Sequence, residues 1–362
     1  MSKIISIGSA VPSFKHKQRD ISNFMQRVYA LNENENRKLR FLYHQSGIDY
    51  RYSVVSDYGQ NINNWQFYPP SENLEPFPSL EKRMAWYNTY APQLSVDAIQ
   101  KCIGDKISSS QISHFITVSC TGMSAPGLDL QVMELMPFSK NIFRTSINFM
   151  GCYAAIHALK IANAICIADP AAKVLIVCTE LCTLHFQQAS TMDNIASSLL
   201  FSDGSAAALI TGDSYAGEGI HLKHFYAEVL PKGKKDMAWE LSSSGFLMTL
   251  SNYIPDLIEE DFKTLTTNAL SQFNLSFDSI SHWCIHPGGK RILEAVGKSL
   301  QIEKEKLEPC YSVLKDYGNM SSPTILFVLE RMMHDLDFRK KNTIFSAAFG
   351  PGLTIETFIA ET

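Results

Sequence analysis

The chain has 362 residues, 45% of them hydrophobic and 19% charged, with a net charge of −4. These values describe a globular protein able to bury a large core, and they exclude a disordered chain. The slightly acidic balance gives no electrostatic reason to bind nucleic acid or an anionic membrane surface.

Taken in chain order, apolar runs rich in β-branched residues alternate with helical patterns. "KIISIG" (3–8) reads as a first strand, closed by Pro12 and too short for the core of a secretory signal. A helical pattern covers 20–45, and the Pro-, Asn- and aromatic-rich segment 57–80 reads as an ordered covering loop. Then come a helix over 92–107, the strand "SHFITVSC" (113–120), helices over 127–136 and 153–168, the strand "KVLIVCTE" (173–180), a helix over 190–201 and the strand "SAAALITG" (205–212). A turn-rich break, "TGDSYAGEG", follows at 211–219. Beyond it the pattern gives a helix over 256–273, the strand "SHWCIHPGG" (281–289), helices over 288–300 and 321–336, and strands over 342–352 and 353–359.

The strand runs are continuous rather than alternating, as in sheets covered on both faces, so the fold class is α/β. Both parts end on strands of small residues ("SDGSAAALITG", "SAAFGPGLTIET"), which suggests two similar halves, 1–211 and 212–362. No stretch offers the ~20 uninterrupted apolar residues of a spanning helix. Segment 147–168 comes nearest, but His157, Lys160 and Asn163 interrupt it, so it reads as a buried core helix with no membrane insertion.

Eight cysteines lie at 102, 120, 152, 166, 178, 182, 284 and 310. None forms a CxxC pair and none has zinc spacing, so the expectation is a cytoplasmic protein with free thiols and no metal site.

Three stretches carry chemistry. In "GCYAAIHALKIANAI", Cys152 stands between Gly151 and a helix apolar almost all round. There the free N–H groups and the helix dipole favour an anion, which would lower the thiol pKa and make it reactive. The competing reading is a small core hydrophobe. In "WCIHPGGKRIL", His286 ends an apolar strand, a place where sites assemble in α/β sheets, although a structural histidine fits as well. In "DYGNMSSP", Asn319 follows Gly318 and precedes a helix start, as a turn residue or as a hydrogen-bond donor.

Taken together, cysteine in "GCYAA", histidine in "HPGG" and asparagine in "GNMSS" resemble the type III polyketide synthases, the chalcone and stilbene synthase-like enzymes of the thiolase fold. "HQSGIDYRYSV" (44–54), "SCTGMSAPGLDLQ" (119–131), "TELCTLHF" (179–186), "LLFSDGSAAALI" (199–210) and "AFGPGLTIET" (348–357) extend the resemblance over nearly the whole chain. It implies a thiolase-like fold of two similar halves in an αβαβα layered arrangement, and a homodimer. It also implies an acyltransferase in which Cys152 takes an acyl group from a coenzyme A thioester. Repeated decarboxylative condensation with malonyl-CoA then extends that group, with no cofactor beyond the thioester substrates.

Within the resemblance His286 pairs with the thiolate, and His286 and Asn319 donate to the enolate formed from malonyl-CoA. Phe201 is the retained gatekeeper, Met248 stands where plant members carry a phenylalanine, and Ala125 where they carry a methionine. Trp239 stands where a small residue is usual. Cys120, Cys182, His185, Ser321, Phe349 and Gly350 are the remaining substrate-site positions. Lys38, Arg40 and Arg291 are the expected coenzyme A contacts, with neutral Phe41 and Gln45 interrupting the basic cluster. The altered cavity positions point to a medium or long fatty acyl starter and to alkylpyrone or alkylresorcinol products. The nearest alternative is a β-ketoacyl-carrier-protein synthase III-like enzyme that condenses once. "HPGG" and "GNMSS" weigh against it, as the lack of a peptidase signature weighs against a Cys-His-Asn hydrolase. The intact Cys152, His286 and Asn319 weigh against a catalytically dead binding protein.

Overall fold

Ala154, Ala155, Ile156, Ala158, Leu159, Ala162 and Cys166 bury most of the helix 154–168, and its exposed residues lie toward the C-terminal end, so it becomes the centre of the molecule. The computed structural model describes residues 2–71 and 73–362. The first half comprises β1 (Ser2–Ala10), β2 (Phe14–Lys17), α1 (Gln18–Val28), α2 (Glu33–Gln45), β3 (Tyr50–Ser53), α3 (Leu80–Ile103), β4 (His114–Ser119), α4 (Leu128–Leu135), β5 (Phe143–Asn148), α5 (Ala154–Ala168), β6 (Lys173–Leu181), α6 (Met192–Leu200) and β7 (Asp203–Gly212). The second comprises β8 (Ile220–Val229), β9 (Met237–Ser242), β10 (Gly245–Leu250), α7 (Ile254–Ser271), β11 (His282–Ile285), α8 (Lys290–Leu300), α9 (Glu308–Tyr317), α10 (Thr324–Asp335), β12 (Thr343–Gly350) and β13 (Thr354–Glu361).

Nine strands form one mixed sheet in the order β11-β12-β13-β8-β1-β7-β6-β4-β5. Its topology repeats. β1 runs antiparallel to β7, β7 antiparallel to β6, and β6 parallel to β4. The same senses recur from β8 through β13 and β12 to β11. Within the sheet the two repeats join where Ser2–Ile4 pairs with Ile220–Leu222. α5 packs against β4, β6, β7, β1 and also β13, while α10 packs against β1, β7 and β11. These two helices are the middle layer, with α3 covering the first half-sheet on its outer face and α7 lying on β8. The segment Gly151–Ala168 is long and apolar enough to cross a membrane by composition, and here it is this middle-layer helix with its preceding turn.

Several boundaries differ from the sequence reading, each for a local reason. The helix expected over 20–45 is two, because Asn32 and Glu35 form a capping box that starts α2 afresh. The helix expected from Pro92 starts at Leu80, capped by Ser79, and carries Pro92 inside it. α10 starts at Thr324 rather than 321, since Ser321 has φ +61° and cannot be helical. β2, β3, β5, β8, β9, β10 and α9 were not expected. β5 and β9 are largely open to solvent and so lack a continuous apolar run.

Candidate active site

Cys152 sits in the single turn Gly151–Tyr153 that leads into α5, so the thiol stands at the start of the buried helix. It is the one cysteine of the eight that is not fully buried, and none of the eight is disulfide-bonded. The turn exists because residue 151 is glycine: φ is +75°, and a Cβ there would lie 2.2 Å from Pro351 Cδ. Gly350 is pressed as closely against Tyr153, so the 349–352 loop supports the turn that holds the thiol.

His286 follows the last residue of β11, its N–H donating to the Ala347 carbonyl at 2.9 Å. Asn319 is placed by backbone pairing with Phe201: its N–H donates to Leu200 O and its carbonyl accepts from Ser202 N–H, each at 2.9 Å. Its side chain is oriented too. Oδ1 accepts from Ser321 N–H at 2.8 Å and Nδ2 donates to Gly288 O at 3.1 Å, tying Asn319 to the loop that follows His286. An amide has two N–H bonds, so one donor of Nδ2 remains for a ligand.

Cys152, His286, Asn319, Ser321, Phe201, Phe349, Cys120 and Cys182 all line one cavity of about 440 Å³. Trp239 and Met248, paired across the β9–β10 hairpin, line it as well. Trp239 Nε1 donates to the Cys120 carbonyl at 2.7 Å, and His185 stacks on Phe246 at 4.3 Å. Phe246 N–H donates to His185 Nδ1, so His185 Nε2 carries the proton given to the Thr121 carbonyl at 2.7 Å. His185, Phe246 and Trp239 thereby form a rigid wall.

Other expected residues lie elsewhere. Ala125 is exposed on the loop before α4 and does not line this chain's cavity. Lys38 and Arg40 are exposed on α2 and do not line this cavity, Arg40 bonding Gln26 at 2.8 Å. The residues of α2 and its C-cap that reach the mouth are Leu42, Gln45 and Ser46. Arg291 does line the mouth, beside Lys290 at the start of α8. Gly350 does not line the cavity and packs against Tyr153 instead.

The charge state differs from the expectation of a lowered thiol pKa. Burial pushes Cys152 up to about 12, with the Glu180 carboxylate adding to the shift; the Ser321 hydroxyl, 3.5 Å from the sulfur, and the Asn319 side chain oppose it. Burial likewise holds His286 down to about 3. Each group alone is neutral, so charge can develop only when the thiol proton passes to the imidazole. Among the described residues neither ring nitrogen of His286 finds a hydrogen-bond partner, so no neighbour there locks its tautomer.

Two cavity-associated residues were not singled out from the sequence. Glu180 ends the apolar run of β6, and its carboxyl, raised to about 7 by burial, accepts from Cys120 N–H, Thr121 and Ser322. The signal was an acid inside a strand otherwise fit for the core. Arg51 lines the cavity from β3 and is 3% exposed.

Residues 1–214 match the N-terminal domain of the chalcone and stilbene synthases, and residues 221–362 match their C-terminal domain. A putative chalcone synthase of Bacillus subtilis is 31% identical over 99% of this chain and 98% of its own length. The alpha-pyrone synthesis polyketide synthase-like Pks18 of Mycobacterium tuberculosis is 32% identical over 77% of this chain and 72% of its own. Among solved structures, PKS-I from the brown alga Ectocarpus siliculosus superposes with a TM-score of 0.93 at 26% identity, over 100% of this chain and 98% of the other. The 1,3,6,8-tetrahydroxynaphthalene synthase of Streptomyces coelicolor gives 0.85 at 25%, over 99% and 98%. The cavity with its cysteine, histidine and asparagine therefore lies in a thiolase-like fold, and the chain belongs to the chalcone and stilbene synthase family of type III polyketide synthases, malonyl-CoA-dependent acyltransferases.

Proposed function

We propose that Cys152 carries the acyl chain, that His286 moves its proton, and that His286 and Asn319 stabilise the enolate. The observation that carries this reading is the joint placement of the three side chains in one largely apolar cavity. Cys152 attacks the starter thioester as its proton passes to the neutral His286, which returns it to the departing coenzyme A sulfur. Malonyl-CoA then loses CO₂, and the electron pair left behind becomes an enolate whose oxygen takes hydrogen bonds from Asn319 Nδ2 and from an N–H of His286. The enolate carbon attacks the thioester on Cys152 and expels the sulfur as a thiolate, which takes up the next acyl group directly or is protonated from solvent.

The starter we infer is a medium or long fatty acyl-CoA, and the products alkylpyrones or alkylresorcinols. Trp239 and His185 line the cavity with Phe246 packed against them, and Ile21 and Met25 of α1, with Phe186, Ile195 and Leu199, supply apolar lining that we take as the extension receiving the acyl chain. Met248 adapts to an irregular apolar shape. Ala125 contributes nothing to this argument, since it lies outside the cavity. The relative named for alpha-pyrone synthesis agrees with the product class. Each buried methylene is worth ~0.8 kcal/mol, so efficiency should rise about fourfold per carbon until the extension is full. Products from hexanoyl-, decanoyl-, palmitoyl- and p-coumaroyl-CoA with malonyl-CoA, measured by mass spectrometry, test this. Dominance of decanoyl- or palmitoyl-CoA is expected; a panel won by p-coumaroyl-CoA, or by malonyl-CoA alone, contradicts it.

Of the expected coenzyme A contacts, Arg291 is the one retained, because it reaches the mouth. We also infer two halves, 1–211 and 212–362, and a cytoplasmic location, supported by eight unpaired thiols. A homodimer is inferred from exposed apolar side chains beside the edge strand β5: Met123 (54% exposed), Leu130, Leu135 and Phe143 (70%). Sedimentation should give twice the chain mass at micromolar concentration, and a monomer there would oppose it.

A further inference from the structure

Arg51 is a buried guanidinium that the chemistry above leaves unused. Its Nε donates to Gln18 Oε1 at 2.9 Å and its Nη1 donates to the Phe201 carbonyl at 2.7 Å. Asp203, whose charge acts on it, already accepts from Val54 N–H, Thr183 N–H and the Thr183 hydroxyl. Burying a cation without a dedicated carboxylate is costly, which calls for a reason.

The reason lies in what its donors hold. α6 ends at Leu200, and the last carbonyls of a helix have no partner within it. Gln18 Nε2 takes the Leu199 carbonyl at 2.9 Å, Asn319 N–H takes that of Leu200, and Arg51 takes that of Phe201. The strip 199–202 is therefore pinned by Gln18 and Arg51, and Asn319 is hydrogen-bonded to the strip through both of its backbone groups. The Arg51 stem also touches the turn before Asn319: a Cβ on Gly318 would lie 2.9 Å from Arg51 Cγ and 3.0 Å from the Leu200 carbonyl. A guanidinium can do this because its N–H groups leave a rigid plane in fixed directions, whereas an ammonium is a single point.

We propose that Arg51 is a positioning residue for Asn319, acting with Gln18 through the 199–202 strip to aim the free amide N–H at the enolate oxygen. The proposal rests on the assignment of Asn319 to enolate stabilisation. Starter loading needs only the thiol and its proton acceptor, whereas malonyl-CoA decarboxylation needs the donor in place. A displacement of about 1 Å in such a donor can cost ~10²-fold in rate.

The test compares Arg51→Lys, Gln18→Met and Asn319→Ala in the full chain. Loading is followed by intact mass with decanoyl-CoA, and decarboxylation by CO₂ release from malonyl-CoA. Arg51→Lys keeps the charge and loses the fork, so decarboxylation should fall by about 10²-fold while loading changes severalfold at most. Gln18→Met should show the same split to a smaller degree, and it decides the matter if Arg51→Lys does not fold by circular dichroism. Equal losses in both half-reactions, or no loss in either, would overturn the positioning role. If Asn319→Ala itself fails to separate the half-reactions, the Asn319 assignment fails and the proposal with it. If Asn319→Ala separates them and the other two variants do not, the positioning role alone is refuted.

Discussion

Replacing His286 by alanine is expected to slow alkylation of Cys152 by iodoacetamide, and acyl loading from an acyl-CoA, by roughly 10²–10⁴-fold at pH 7.5. The magnitude follows from the charge state of the cavity. Alone, the buried thiol lies at about 12, and at pH 7.5 almost none of it is thiolate. What makes it reactive is a neighbour that accepts its proton: burial disfavours either charge alone, leaving His286 unprotonated, and the thiolate and imidazolium formed together stabilise each other. Removing it leaves the sulfur to titrate by itself. The rate in His286→Ala should therefore keep climbing with pH beyond 9, while the parent enzyme levels off earlier. A variant whose pH profile overlays the parent's would show that His286 does not take the proton.

Replacing Asn319 by alanine should separate the two half-reactions. Losing one preorganised donor to a developing oxyanion costs ~2.7–4 kcal/mol, or about 10²–10³ in rate. That loss should fall on decarboxylation of malonyl-CoA, which generates the enolate. Loading should fall severalfold at most, because Asn319 also eases thiol ionisation. Asn319→Asp should be no better than alanine: a carboxylate has no N–H to give and repels the enolate. Equal impairment of both half-reactions by Asn319→Ala would remove the enolate assignment.

Much of this architecture was legible because its signals are local. Continuous apolar runs marked seven of the nine main-sheet strands, and an all-round apolar helix marked the middle layer. Gly151, beside the thiol in the sequence, has the positive φ and the close approach to Pro351 that admit little else. What escaped depended on tertiary context. β8 (IHLKHFYAEV) is buried at its start and half-exposed beyond, so its polar residues hid it. The thiol's environment was misjudged because a helix start can be read from sequence, whereas the depth of burial around it cannot. Lys38 and Arg40 stand exposed on α2, whereas Leu42 and Gln45 of the same helix line the cavity, a division that the sequence pattern alone does not display. Arg51 escaped because its partners, residues 18 and 201, are remote in sequence.

The central claim is that one thiol carries the growing chain, and intact-mass analysis tests it most directly. Cys120 and Cys182 line the same cavity, so the distinction is a real one. Incubation with decanoyl-CoA should give a single acyl adduct, mapped to Cys152 by peptide digestion and absent from Cys152→Ala, and added malonyl-CoA should lengthen it before release. An adduct that persists in Cys152→Ala, or one that maps to Cys120 or Cys182, would contradict the account.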